Sequence, residues 1–539
     1  MSGDSSGFTG QTDIAAGALI VGRGAAGALG GTLDVLDGAL LGGSGTVGTT
    51  LVHSGGTIAP GNSIGTLNVA GDITFDAGSR YEVEVDPVGT DSDLIHSTGE
   101  AVLNGGSVVH IGMGGTYRPS STYTILTADA GVNGAFAGVT SNFAFLDPTL
   151  DYGLNDVTLS LHRNGVAFCL VGQTSNQCAT GRGAESLGAG NDLYDALVVL
   201  DAATARTAFD QLSGEIHASL NTGLIEDSRY IRDAATDRLR AAFDGVGASI
   251  APVVAYGPDG PYPAPAGTGD SVAWGTAFGG WGTTNGDGNA AQLDRSTGGL
   301  IVGADGLLGD WRLGLLVGYS HSNLDAGISS ASSDNYHVGA YAGTQWGQLA
   351  FRSGLAYTWH DIETSRSVDF AGFADRLESN YNAGTGQIFG EVGYTIEAGP
   401  TAFEPFAGLA YVNLDTGGFS EGGGAAALSN NGGATETTFS TLGVRIASDF
   451  VFSGIKASAR GTLGWRHAFG DISQTVGLSF AGGDSFTVAG VPIAQDTALA
   501  EFGLDFDLTD SATFSLSYSG QFGEDNQDHS ARANFSLRF

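Results

Sequence analysis

From about residue 270 onward the sequence alternates apolar with small or polar residues at a period of two. The end shows it best: Phe539, Leu537, Phe535 and Ala533 fall on one phase, Arg538, Ser536, Asn534 and Arg532 on the other. Phe514, Leu516 and Tyr518 alternate in the same way with Ser515, Ser517 and Ser519. A soluble sandwich would bury such a face on a second sheet. A closed barrel turns it to lipid and leaves no backbone edge unpaired. Twelve such stretches begin near 271, 292, 311, 334, 349, 378, 401, 435, 455, 496, 512 and 529. Connections near 308–310, 346–348, 397–400, 449–454 and 508–511 are short, whereas those near 283–291, 325–333, 364–377, 415–434, 470–495 and 523–528 are mostly longer. Tight turns at one end and loose loops at the other are the pattern of an outer-membrane barrel with both termini on the periplasmic side. Residues 246–539 are therefore read as a 12-stranded antiparallel transmembrane β-barrel, and all six tryptophans lie within it.

Upstream, residues 1–165 break into short runs rich in Val, Leu, Ile and Thr, separated by Gly, Asn or Asp. Thr57–Ala59, Thr66–Val69, Asp72–Phe75 and Tyr81–Val85 are examples. Strands this short suit the stacked rungs of a parallel β-helix, whose apolar face only the neighbouring rung can cover. The runs Thr122–Thr127, Ala144–Leu150 and Val157–Leu161 read as a terminal, sandwich-like cap. Residues 166–245 change to helical spacing over 191–200, 202–212 and 221–243. The last of these, as one helix, would be about 34 Å long, a match for the ~30 Å hydrocarbon core. It carries Glu226, Arg229, Arg232, Asp233, Asp237, Arg238 and Arg240, too many charges to face lipid. Eight strands leave a filled interior and sixteen a channel, so twelve should leave a bore near the ~10–12 Å width of one helix. The fold expected is thus all-β with a helical linker, the charged helix standing in the pore. Residues 245–268, with five prolines, read as a turn or linker.

Twenty-one Lys and Arg against 57 Asp and Glu give a net charge of −36, and Lys456 is the single lysine. Such a chain is no nucleic-acid binder. Cys169 and Cys178 would form a small disulfide in an oxidising compartment and a free pair in a reducing one. Their spacing gives no zinc site. No cofactor, metal or catalytic constellation is expected. The N-terminus has neither the basic nor the apolar segment of a signal peptide, so either the protein stays inside or its natural start lies upstream; a first rung without a cap favours the second.

Three segments in this order resemble the type V autotransporters of Gram-negative bacteria, of the monomeric kind. Gly55–Gly71 (GGTIAPGNSIGTLNVAG) resembles the passenger-associated transport repeat, Gln211–Ser219 (QLSGEIHAS) the segment leading into the pore helix, and the barrel ending in Asn534–Phe539 the translocator. The resemblance implies a protein that mediates its own surface delivery: a barrel in the outer membrane, a β-helical passenger on the cell surface, and a helix left as plug. It also implies an autochaperone role for 55–165 and a barrel-assembly signal at Phe535, Leu537 and Phe539. The partners it implies are outer-membrane lipid, the barrel-assembly machinery, periplasmic chaperones and a host or cell-surface ligand of the passenger. A small Cys169–Cys178 loop would not obstruct export.

Several sharper readings compete with plainer ones. Gly3-Asp4-Ser5 and Gly483-Asp484-Ser485 resemble hydrolase nucleophile contexts, but neither has a recognisable His/Asp partner, and both read as turns. Gly89–Asp93 reads as an exposed turn in place of a calcium repeat. His217, two residues from Glu215, shares no helical face with it and reads as structural. Cleavage within the pore at an Asn-Asn junction is not expected, since Asn221 stands alone and Asn430-Asn431 lies in a loop. The chain is accordingly expected to be a secretion and display protein and not an enzyme. The alternatives are an adhesin, a surface enzyme whose catalytic domain lies upstream, and a soluble β-sandwich binding module.

Overall fold

The computed structural model describes all residues except 24–25, 87–88, 113–120, 249–252, 258–259, 266, 268, 453–454, 510–511 and 538–539. The chain divides into two compact units. One comprises Met1–Gln173, Gly181–Asp210 and Val368–Ala374; the other comprises Thr174–Thr180, Gln211–Ser367 and Asp375–Phe539. The expected helical segment 166–245 contributes to both.

The first unit is built from parallel strands stacked in columns. Leu40 registers on Thr57, Thr57 on Arg80, Arg80 on Ser107 and Ser107 on Gly138 in one sheet. In the second sheet Leu67 registers on Ile95 and Ile95 on Leu126. The inward residues of these rungs, among them Ile58, Leu67, Val69, Ile73, Phe75, Tyr81, Val83 and Ile95, are fully buried. Each short strand owes its stability to this stacking, because two or three residues cannot hold a strand alone. Gly61 sits at φ +81° in the turn between Thr57–Pro60 and Thr66–Val69, and a Cβ there would lie 1.8 Å from the Ser63 carbonyl oxygen. The expected sandwich-like cap is instead an antiparallel extension of one sheet, since Asp156–Arg163 pairs with both Thr122–Ala128 and Leu146–Tyr152. Antiparallel pairing ends the stack because it leaves no parallel template for another rung.

The described helices are α1 (Phe168–Val171), α2 (Ser175–Glu185), α3 (Asp192–Leu197), α4 (Ala202–Leu212), α5 (Ile216–Asp227) and α6 (Arg229–Ala242). Phe168 packs between the rings of Phe145 (4.5 Å) and Tyr194 (5.2 Å), and Arg163 reaches Glu185 at 2.9 Å. Asn191 caps α3, its side chain accepting from the Leu193 and Tyr194 amides. Both cysteines stand in helices, Cys169 in α1 and Cys178 in α2, and both are disulfide-bonded. Gly181 and Gly183 concealed α2, and tertiary contacts override their poor helix propensity.

The second unit holds the barrel. Its strands are β1 (Ser271–Thr284), β2 (Leu293–Leu308), β3 (Trp311–Ala326), β4 (Ser329–Trp346), β5 (Leu349–Phe370), β6 (Phe373–Tyr394), β7 (Thr401–Thr416), β8 (Gly433–Phe452), β9 (Ile455–Gly470), β10 (Asp496–Thr509), β11 (Ala512–Gly523) and β12 (Asn526–Leu537). Successive strands pair antiparallel, and β1 meets β12 from Gly280↔Ser530 to Thr284↔Asn526, which closes the cylinder. The outward phase is as read: Leu300, Leu313, Leu315, Val317, Leu355, Ile388, Leu463 and Phe502 are exposed. Trp311 and Tyr319, at the two ends of one such row on β3, stand about 27 Å apart along the strand at 3.4 Å per residue. At the ~35–45° tilt of such strands this spans roughly 20 Å of height, most of the ~25 Å apolar band between aromatic girdles.

Two expected external loops are short turns. Ala326–Ser329 and Phe370–Phe373 each close a hairpin whose strands run past the apolar band, β5 and β6 having 22 residues apiece. Polar residues in these extensions hid the strands, because beyond lipid neither face needs to be apolar. The proline-rich 245–268 is also not a plain linker. Val253–Gly257 and Gly260–Ala264 form a hairpin paired to β1 through Val254↔Ala273, with Pro261 and Pro263 on its outer strand, where no ladder partner needs their missing N–H.

Candidate functional site: the lumen of the barrel

The helix α5–α6 stands inside the cylinder with its N-terminus at the end of the long loops and its C-terminus at the short turns. It differs from the expected single helix 221–243 in two respects. It starts at Ile216, and it is interrupted at Ser228. Gln387 of β6 donates its Nε2–H to the Ser228 carbonyl at 2.8 Å, and the Ser228 amide is shared between the Leu224 and Ile225 carbonyls. A wall side chain thus competes for the helical ladder at that point. Where helix and wall touch, the side chains are small: a Cβ on Gly223 would meet Leu324 of β3 at 2.4 Å, and one on Gly343 of β4 would meet Leu239 at 2.9 Å.

Charged groups on the helix meet charged groups on inward strand positions in tiers. Near the short turns, Asp305 of β2 accepts from Arg238 Nε at 2.6 Å and Nη2 at 2.9 Å, and also from Arg312 and from the Tyr341 hydroxyl at 2.9 Å. Trp274 donates in turn to Tyr341 at 2.6 Å. In the same half of the barrel, Arg352 and Arg445 interlock with Glu391 and Glu404 at 2.7–2.9 Å, and Arg445 lies 3.8 Å from the Phe406 ring centre. At mid-height Glu226 meets Arg466 at 2.9 Å, Arg229 meets Asp528 at 2.8 Å, and Arg295 bridges Asp227 and Asp528. These groups are nearly inaccessible, so each ion's desolvation is offset only by its partners.

The outer tier encloses the helix N-terminus. His217 stacks on Phe419 at 4.1 Å, with its ring nitrogens 3.2 Å from the Tyr381 hydroxyl and 3.0 Å from Glu421. Arg366 forks onto Glu421 and donates to the Gln211 carbonyl at 2.8 Å. Glu215 accepts from the Ala291 amide at 2.8 Å, and Ser219 Oγ from the Val491 amide at 3.2 Å. The segment QLSGEIHAS is therefore the part of the chain wired to the external loops. Two of those loops join, through Phe419–Ser420, Leu428–Asn430, Thr475–Phe480 and Phe486–Ala489, into a four-stranded sheet.

Of the residues singled out in the sequence, Glu226, Arg229 and Arg238 pair with the wall. Arg232 donates to Gln387 at 3.0 Å, Arg240 pairs with Asp237 on the helix itself, and Asp233 lines a lumenal cleft. Sequence reasoning missed Arg295, Asp305, Arg312, Arg352, Glu391, Glu404, Arg445 and Asp528. All occupy the inward phase of the period-two pattern, which is the signal that would have found them. Phe535 and Leu537 lie in β12, opposite Phe514 and Ala512, and Phe539 lies outside the described residues. Gly89–Asp93 is not simply an exposed turn, because Asp93 is buried and its carboxylate accepts from the Gly65 and Glu84 amides at 2.9 Å. Among the described residues no hydrogen bond joins Ser5 or Ser485 to a histidine, no cluster could hold a metal ion, and no helix is long and apolar enough to cross a membrane.

Residues 273–519 match the autotransporter β-domain family. The chain is 35% identical over 587 aligned residues to a protein of Serratia marcescens named extracellular serine protease, covering 99% of this chain and 54% of that protein. A second protein of the same name and organism is 34% identical, over 89% of this chain and 49% of its own length. The chain thus spans about half the length of the curated relatives it matches. Among solved structures, the translocator domain of NalP from Neisseria meningitidis aligns at 18% identity over 59% of this chain and 98% of its own (TM-score 0.43). The β-domain of Bordetella BrkA aligns at 19% over 50% and 100% (TM-score 0.39). The relatives' name corrects one expectation: a chain matched along its whole length by extracellular serine proteases is not to be classed as non-enzymatic on the strength of its own motifs. With its barrel in the outer membrane and its passenger at the surface, the chain belongs to the autotransporters, as one whose β-domain lies at the C-terminal end.

Proposed function

We propose that this chain is the export and anchoring part of a surface-delivered serine protease, its barrel carrying outward a β-helical stalk and a protease domain that precedes the stalk in the full protein. The observation that supports this most is the 35% identity over 99% of the chain to a protein named for that activity. The lumen supports the direction of transport. The helix enters from the long-loop end, so the chain before Ile216 leaves the barrel on the external side. No nucleotide is needed for the bias. Each rung that stacks outside removes apolar side chains such as Ile73, Tyr81 and Ile95 from water at ~25 cal/mol per Å² and opposes back-sliding. The rungs of 55–165 would nucleate this stacking, and β12, with Phe535 and Leu537, would be read by the barrel-assembly machinery as the barrel inserts into lipid.

Two measurements test this. Epitope tags at the N-terminus and in the 415–434 loop should both be lost when intact cells are shaved with protease, and protection of both would refute the orientation. The full open reading frame should release or display proteolysis that a serine-directed inhibitor abolishes. Deletion of 211–539 should keep that activity inside the envelope. Cells exporting an intact stalk without such activity would refute the protease reading alone.

A further inference from the structure

The helix does not fill the lumen evenly. α6 packs on β3 and β4, and α5 on β2, β3, β4 and β7, while a cleft of about 170 Å³ lies on the other side of α6, against the wall running from β6 to β12. That wall is lined by small residues, Gly390, Gly408, Ser517, Ser519 and Ser530 among them, which hold it back from the helix. Guanidinium groups reach into the cleft from both sides: Arg229, Arg232 and Arg240 from α6, Arg445 and Arg466 from the wall.

Most of these arginines are partly engaged by carboxylates, yet not all their donors are used. Arg229 Nη1, Arg240 Nε, Arg445 Nε and Arg466 Nε are buried and find no acceptor among the described residues, on side chains whose residues are only 4–6% exposed. Arg232 donates to Gln387 and lies 6.0 Å from the Phe439 ring centre. Asp233, Asp237, Glu391 and Glu501 also line the space, so its net charge is small. The imbalance lies in the hydrogen bonds. Among described residues of the lining, the unspent polar atoms are these four donors and one acceptor, Gln521 Oε1. A buried donor left unmade carries a desolvation cost that an anion or water can remove. From Arg229 to Arg240 the helix rises about 16 Å, so the donors form a row and not a single cradle.

We propose that this cleft binds small inorganic anions in a row along α6, the ions taking up the guanidinium N–H groups that the lumenal carboxylates leave free. Such ions bind the barrel only with the helix in place, since α6 supplies half of the donors.

The test uses the full chain in detergent, with chloride, phosphate and gluconate as sodium salts at equal ionic strength. Chloride or phosphate should raise the melting temperature saturably over gluconate; both doing so marks a general anion row, phosphate alone an oxyanion site. R232Q should weaken that half-saturation about tenfold or more, as expected for the loss of a hydrogen bond from a charged donor. Q521E, which puts a carboxylate in the cleft opposite Asp528 in the β11–β12 ladder, should abolish it. Crystals soaked in bromide should show anomalous peaks beside Arg232 and Arg466. Identical melting in the three salts, an unchanged response in both variants, or a cleft holding ordered water only would overturn the proposal.

Discussion

Replacing Arg238 by Ala asks how firmly the helix is held. Asp305 is fully buried and receives four donors: two from Arg238, one from Arg312 and one from Tyr341. R238A removes the two that come from the helix and leaves the carboxylate with two from the wall. Breaking a buried ion pair costs roughly 3–5 kcal/mol when the remaining charge is stranded. Here Arg312 still neutralises Asp305, so the loss should fall near the ~1.5–3 kcal/mol of charge-assisted hydrogen bonds, taken as about 2–3 kcal/mol. At ~1.4 kcal/mol per factor of ten, the population of barrels with the helix displaced should rise about 30- to 150-fold. Single-channel recording in planar bilayers reads that population as the fraction of time in a large open state. R238K, which keeps the charge but not the fork, should lie between the two. D305N should be worse than R238A, because it leaves Arg238 and Arg312 facing each other. An open fraction in R238A equal to that of the parent, with the same melting temperature, would show that the pair does not hold the helix.

Other consequences follow from single contacts. Burial in the solenoid raises the Asp93 carboxyl to about 7, against two amide hydrogen bonds that oppose the shift. The folded stalk then binds more protons than the unfolded chain between about pH 4 and 7, and its stability should fall as pH rises through that window. Titrated by urea melts of the stalk in the intact chain, D93N should flatten that slope; a slope of opposite sign would refute the assignment. G61V, at φ +81° with no room for a Cβ, should destabilise the rung by about 1–3 kcal/mol and slow surface appearance in a pulse-chase without affecting barrel insertion. G490A places a methyl 2.3 Å from the Ser219 amide nitrogen. It should loosen the outer closure around α5 and speed cleavage of that segment by external protease, while the barrel remains heat-modifiable on gels.

The barrel was legible because lipid imposes a rule on every second residue. Leu313, Leu315 and Val317 had to be apolar, and the tight turns at Gly309, Gly347 and Gly399 marked the strand ends. Above the membrane the rule lapses, and there the sequence concealed the most: Arg366 and Glu421 lie in stretches taken for loops, yet they form the closure around His217. The helix was legible from its spacing and its length, and its charges showed that it could not face lipid. Its partners were not, because Glu226 and Arg466 or Arg229 and Asp528 lie hundreds of residues apart and only barrel closure brings them together. The sulfur pair sat in helices because Phe168 and Asn176 are held by distant contacts that a local reading of a glycine-rich segment does not contain. The protease relationship has no signature in these residues at all; it enters through kinship with longer proteins.

The central claim, a closed barrel occupied by the helix that precedes it, is tested most directly by cross-linking across the contact between Gly223 and Leu324. A Cβ on Gly223 would stand 3.7 Å from Leu324 Cγ, the place a cysteine sulfur at 324 would occupy, so a small side-chain rotation brings the two sulfurs to the ~2.05 Å of a disulfide. In cells expressing G223C/L324C, mass spectrometry of the outer-membrane fraction should find the two peptides joined in most of the protein, and not joined when Leu463 on the lipid face is used in place of Leu324. A correctly inserted, heat-modifiable barrel in which residues 223 and 324 never link would contradict the account.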